Sequence, residues 1–322
     1  MLVDPNARTL EGTSARKTKE FVVKLLTLAA ATVSLIVTIA IIGTLFYRAI
    51  DFVATLANPS DADVDNAGVP LSLDLLWSNG QWAPRFTRFD IKTLVVGSLI
   101  VTAIAMVVAG PLGLGAAIYL SEYASSRARR FLKPIIEILA GIPSIVIAFF
   151  ALRFISPQIV QRLFDTASQN LLAAGLGVGL LTIPLVASIS EDALRAVPMS
   201  LREASAGMGA RKMKTTLSVV TPAAVSGLVA AGIVGVSRAI GETMVVFLVA
   251  GGGGNSAQFT ANPLEKGSTM TAAMASQASG SDNIITEVAA GSLYFVGAVL
   301  FVTTFLLNIL ADRIVRRFQE KY

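Results

Sequence analysis

The sequence contains neither cysteine nor histidine. That removes disulfides, thiol chemistry, haem ligation through imidazole and the usual zinc sites, so no cofactor or metal is expected. Charged residues make up only 15% of the 322 positions, whereas a soluble chain carries about a quarter. No GxxxxGK[ST] phosphate loop occurs, so the chain is not expected to hydrolyse ATP and is not read as an enzyme. Nor is there an internal repeat, a low-complexity tract beyond "GGGG", or a second soluble domain. The net charge of +5 does not argue for nucleic acid, because in a chain this apolar the placement of Lys and Arg is topological.

What is present is hydrophobic sequence, 54% of the chain, gathered into blocks of twenty or more. Blocks of that length read as transmembrane helices. The fold class is therefore an all-α polytopic membrane protein with about six spans: Phe21–Ile50, Thr93–Leu120, Pro134–Phe154, Asn170–Ile189, Pro222–Ala250 and Ala289–Leu310. A cytoplasmic segment 1–20 precedes the first helix, 21–50, which is too long for a signal-peptide core and is read as retained. An extracytoplasmic loop, 51–92, leads into a transmembrane core, 93–310, and a cytoplasmic tail, 311–322. Inside the core lie a cytoplasmic loop, 190–222, and an extracytoplasmic loop, 251–288.

Of the 26 Lys and Arg residues, eighteen fall on the side of the N-terminus and seven on the other. Arg238 is the remaining one. Such a bias places both termini in the cytoplasm. The external loops are longer than connection requires. The first holds Asp61, Asp63, Asp65, Asp74 and Asp90 with Trp77 and Trp82, and reads either as a functional loop or as a solvated spacer.

The loop "SEDALRAVPMSLREASAGMGARKMKTTLSVVTP" runs from Ser190 to Pro222. Pro198 breaks one short helix, and Ser200 with Glu203 three residues on has the form of a capping box opening another. Ala204, Ser205 and Ala206 keep that helix slim, while Gly207 and Gly209 end it or admit a partner backbone. It suits docking to another protein, or simply resting on lipid headgroups.

"GVSRAIGETM" puts Arg238 and Glu242 inside an apolar span. Arg238 is ~24 Å of helix from Pro222 and ~18 Å from Ala250, and an arginine at mid-membrane costs about 2.5–3.5 kcal/mol on insertion scales. On a continuous helix Glu242, four residues on, shares its face. The two either neutralise each other or serve an anion pathway, for which a guanidinium fork suits a tetrahedral oxyanion. Gly227, Ala231, Gly232, Gly235 and Gly241 serve helix contact or a pore wall. Gly141, Pro143 and Ser144 are weaker candidates for backbone and hydroxyl donors, and Glu137 has Lys133 within reach.

Glu203, Gly209 and Pro222 stand at the spacing of the "EAA…G…LP" loop, and here the sequence resembles bacterial ABC-importer permeases. Ser205 replaces the second alanine, and Val219 and Thr221 replace Ile and Leu. With "LSEYASSRARRFLKPIIEILAGIPSIV", "LTIPLVASISEDALRAVPMSLREA" and "SRAIGETM" the chain is similar to the phosphate-specific permeases. The "GETM" ending resembles their C-type subunit. The likeness runs from the second span onward and is weak over the first hundred residues. It implies a type I importer architecture in a bacterial cell membrane. Ser200, Glu203, Ala204, Gly207 and Gly209 would then form a coupling helix seated in a groove of an ATPase subunit. An A-type permease would be the partner subunit, and a phosphate-binding protein would deliver cargo from outside. Arg238 and Glu242 would be needed for transport. The alternatives are a permease for another oxyanion, such as molybdate or sulfate, and an ion-coupled secondary transporter, which needs no docking loop and often shows inverted repeats.

Overall fold

The computed structural model describes residues 14–58, 71–78, 80–252, 257–280 and 287–318. Most of the expected segment 1–20, the aspartates at 61, 63 and 65, and the last residues of the tail therefore lie outside the described residues. Five helices are long and apolar enough to cross a membrane, and a sixth is added if one bent pair counts as a single span. The chain is thus a multi-span helical membrane protein.

The first helix, α1 (Ser14–Ala57, 44 residues), is ~66 Å long at ~1.5 Å per residue. No residue in its most apolar window is buried by this chain. Its hydroxyls are satisfied internally: Thr27, Thr32, Thr38 and Thr44 each donate to the carbonyl four residues back at 2.8–2.9 Å. A lipid-facing helix tolerates threonine on those terms. Only its last turns pack inward, through Ala49, Phe52 and Leu56.

Between the first two helices lie β1 (Gln81–Ala83) and β2 (Arg88–Phe89). With β3 (Ala257–Gln258) they form a three-stranded antiparallel sheet in the order β2-β1-β3. Trp82 pairs with both Phe89 and Ala257, and a cluster with Phe52, Leu56, Leu94, Met270 and Val296 lies beneath it. The two long loops are therefore joined into one structure, and part of the residues read as loop belong to helix or sheet.

Asp90 caps α2 (Ile91–Ile118) by accepting from Lys92 N at 3.0 Å. The helix ends in a π-helical turn, Tyr119–Tyr123. Next come α3 (Ser126–Ala140) and, beyond Gly141–Pro143, α4 (Ser144–Phe150). The latter continues through a π-helical stretch, Ala151–Val160, into α5 (Gln161–Leu163). The third span is Ser144–Leu163, ten residues later than the expected Pro134–Phe154. Basic residues occupy the first half of α3, and the Gly-Ile-Pro break separates it from the apolar run.

The central helix, α6 (Leu171–Arg195), is capped by the buried Asn170, which accepts from Ala173 N at 2.7 Å. Its most extensive partner is α2. The pair comes close because Gly175 lies against Ile104 and Val101, and Gly113 against Val186. The short α7 (Met199–Gly207), α8 (Lys212–Thr215) and α9 (Thr221–Ala223) follow. The segment Lys212–Ala223 meets α10 (Val225–Ile240) at an angle of 72°.

After Gly241–Thr243 come α11 (Met244–Val249) and α12 (Met270–Ala278), and α13 (Glu287–Phe318) packs on α1, α10 and α12. The expected span Pro222–Ala250 is therefore not one helix but is broken at Gly241. The main core joins residues of α2, α4, α6, α11 and α12, among them Val101, Ala148, Val178, Val245 and Ala272.

Candidate functional site

Antiparallel packing fixes the depth of Arg238. Gly227 faces Ala193 and Gly235 faces Val186, which sets Arg238 opposite about residue 183 of α6, ~18 Å from either end of that helix. Arg238 sits in the last turn of α10, where the negative end of the helix dipole favours a cation. It is exposed on the surface of this chain. Among the described residues no acidic side chain lies within ion-pair distance of it.

Glu242 does not share a face with Arg238, because the helix stops between them. Gly241 closes α10 by donating to Ser237 O at 3.3 Å. Glu242 turns inward and is buried. Its Oε1 accepts the N–H of Thr243 at 3.1 Å, at the start of α11. Its carbonyl accepts from Thr271 Oγ1 at 2.7 Å, and Thr269, which caps α12, lies 3.1 Å from that hydroxyl. Of the two readings of the pair, mutual neutralisation does not occur: the helix is broken, with the cation on one half and the anion at the start of the other. Gly241 was the available signal, but a hydropathy window passes over a three-residue break.

Ser144 opens α4, half-buried. Ala151 meets Gly177 of α6, and Ser144 lies seven residues before it, so it stands ~10 Å nearer the α7 end, at about the depth of Arg238. No hydrogen bond joins them. Of the small residues on α10, Gly227 and Gly235 serve helix contact, since a Cβ there would meet Ala193 at 2.5 Å and Val186 at 2.9 Å. Gly232 instead lines an apolar cavity of about 350 Å³ with Met106, Ile233, Val236 and Leu307.

The second candidate region is α7. Ser200, Glu203, Ala204, Gly207 and Gly209 are all exposed, as are Met199 and Met208, at 63% and 82%. The expected capping box is absent: the N-cap is Pro198, no side chain caps it, and Ser200 lies inside the helix. Proline before the first turn already sets an extended entry, so the hydroxyl stands two residues too late. The exit is as expected. Gly209 adopts φ +78°, and Gly209 and Ala210 N–H groups bond back to Ala206 and Ser205 carbonyls, a glycine-terminated helix end.

The inner face of α7 is anchored by polar contacts. Ser205 and Thr215 hydroxyls lie 2.8 Å apart, buried. Arg202 donates to Val197 O at 2.5 Å, to Leu194 O at 2.8 Å and to Glu122 Oε1 at 2.9 Å. Nearby, the buried Glu191 accepts from Arg129 and, at 2.7 Å, from Lys133, which also donates to Asp192 at 2.8 Å. The hydrogen bonds to Asp192 and Glu191 hold Lys133 above the ordinary lysine value, outweighing its partial burial. Lys133 thus pairs across to α6 rather than with Glu137, four residues along its own helix.

The bundle thus combines a broken span with an exposed, glycine-terminated helix between two spans. The model of the family described as "Binding-protein-dependent transport system inner membrane component" matches residues 109–321, and the chain belongs to that family, the permease subunits of ABC importers. It is 32% identical over 231 residues to the "Probable ABC transporter permease protein YqgH" of Bacillus subtilis (strain 168), covering 71% of this chain and 73% of that one. It is 31% identical over 259 residues to the "Phosphate transport system permease protein PstC" of Mesorhizobium japonicum, covering 74% and 77%. Among solved structures it is similar to a chain of the MetNI methionine ABC transporter in inward-facing conformations. There the TM-score is 0.51 at 24% identity, covering 71% of this chain and 94% of that one, a likeness of fold.

Proposed function

We propose that this chain is a C-type transmembrane subunit of an ATP-driven importer of inorganic phosphate in a bacterial cell membrane. It pairs with an A-type permease to form the pathway, and both termini and the loop 190–222 face the cytoplasm. The exposed face of α7 docks an ATPase subunit, which performs the hydrolysis. The joined external loops receive phosphate from an extracytoplasmic binding protein.

The observation that carries this reading is Arg238: a permanently charged fork at mid-depth, exposed, without a carboxylate partner among the described residues. A guanidinium so placed demands an anion, and phosphate presents the oxygens that its donors fit. Glu242, buried beside it in sequence but turned away, contributes a negative field that keeps capture of the anion weak enough for release. The identity to phosphate permeases over three quarters of the chain supports phosphate as the cargo.

The test is uptake of radiolabelled phosphate by the reconstituted complex carrying Arg238→Ala or Arg238→Lys, with sulfate and molybdate as competitors. Loss of uptake in Arg238→Ala, with unlabelled phosphate competing best, is expected. Normal uptake in Arg238→Ala would remove the anion site, and stronger competition by sulfate or molybdate would reassign the cargo.

A further inference from the structure

Resting on the docking role proposed for α7, we propose that the π-helical turn Tyr119–Tyr123 receives that helix, and that Arg202 is the positioning residue joining the two. The guanidinium of Arg202 reaches three acceptors on two elements. Leu194 O and Val197 O belong to the end of α6 and the turn after it, while Glu122 belongs to the turn that ends α2. Both partners are sheltered, with Arg202 16% and Glu122 8% exposed at the side chain. Ser121 donates a further bond to the same Glu122 oxygen at 3.0 Å. The bonds are shared between its two terminal nitrogens, a spread of donors in one plane that the single nitrogen of an ammonium does not reproduce.

A second contact comes from the segment that follows α7. Lys212, three residues past Gly209, holds its ammonium 5.2 Å from the centroid of the Tyr123 ring, within cation–π range. α7 itself, through Arg202, and the chain after it, through Lys212, thus both close on five residues at the end of α2. Val197, Leu194, Val220, Ala224 and Ala117 fill the space between with apolar contact. The face of α7 that carries Glu203 is left outward.

The placement matters because α2 runs on to the region of the helix break. From the π-helical turn it extends ~42 Å to Asp90. On the way Ser98 Oγ accepts the N–H of Met270 at 3.0 Å, and the next residue of α12, Thr271, donates to Glu242 O. A push on α7 enters α2 through Glu122 and Tyr123, and α2 at its other end supports the segment that holds Glu242. Arg202 therefore transmits movement, while Glu203 and its exposed neighbours provide the grip.

The experiment uses the full reconstituted complex with its ATPase and measures three quantities for Glu122→Gln, Arg202→Lys and the double variant. These are co-purification of the ATPase, ATP hydrolysis, and phosphate taken up per ATP hydrolysed. Glu122→Gln leaves the bonds of Arg202 to Leu194 and Val197 in place, so α7 keeps its fold. The ATPase is expected to co-purify and turn over normally, while uptake per ATP falls about tenfold, the scale of one charge-assisted bond. The double variant should be no worse than the poorer single one, since both cut one link. Uptake per ATP within twofold of wild type in Glu122→Gln overturns the proposal. So does loss of ATPase co-purification in that variant, which would make the pair a structural support of the docking face. Glu203→Lys is the separate control: if it leaves co-purification intact, the docking role of α7 fails, whatever the Glu122 variant does.

Discussion

Charge is handled in opposite ways at mid-depth and at the α7 end. Around α7, Arg129, Lys133 and Arg202 each meet a carboxylate, and Glu191 is 1% exposed between two cations. Around the break, Arg238 has no carboxylate partner among the described residues, and the carboxylate of Glu242 accepts from a backbone N–H, that of Thr243. A matched cluster fixes elements relative to one another, because removing either member strands the other. An unmatched cation has nothing to fix and is available to a ligand. On the function proposed above, the first region would transmit force and the second would recognise cargo.

The largest expected effect follows from removing the unmatched charge. Arg238→Ala should lower phosphate uptake roughly 100-fold, and Arg238→Lys roughly 10-fold, while the thermal midpoint of the detergent-solubilised complex stays level or rises. A large fall in that midpoint would place Arg238 among the structural charges. Glu191→Ala should behave the other way, destabilising the protein by ~1–3 kcal/mol in thermal unfolding, since it leaves Arg129 partly sheltered and unpaired and Lys133 with Asp192 alone. Little change there would mean that solvent already screens the cluster. Glu242→Gln should reduce uptake less than tenfold, because the amide oxygen still accepts from Thr243 N–H and only the charge is lost; uptake as low as in Arg238→Ala would give the carboxylate a direct part.

The smallest effect concerns pH. Lys133 is held above its ordinary value of 10.5, so its contribution to stability is fully present below that value and is lost as pH rises through the raised one. The stability gap between wild type and Lys133→Gln should therefore be flat from neutral pH to the ordinary lysine value and close only above it. A gap that closes at lower pH would point to another group. The sign is set by the cation, which needs its proton to meet Asp192 and Glu191.

Hydropathy alone makes the apolar spans legible, and spacing alone makes α7 legible, because both depend on local sequence. The breaks at Gly141–Pro143 and Gly241–Thr243 are hidden from the same reading: three residues hardly alter a window of twenty, yet they end a helix and turn Glu242 away from Arg238. The cap at Pro198 is obscured by a Ser-x-x-Glu pattern that fits a capping box two residues too late. The partners of Lys133 lie 58 and 59 positions away, beyond any periodic argument, so the near neighbour Glu137 looks the better match. The sheet has strands of only two or three residues, too short for alternation to register, and it is assembled from loops far apart in the chain.

That sheet has a consequence for recombination. With β1 seated between β2 and β3, and Trp82 paired to both neighbours, the loop after α1 and the loop after α11 form one interchangeable part. A graft of either loop alone from a relative would leave the other with an orphaned edge and an ill-fitting indole. Chimaeras that trade both loops together should keep a folded cap, so any preference for a delivery protein is exchanged as a pair.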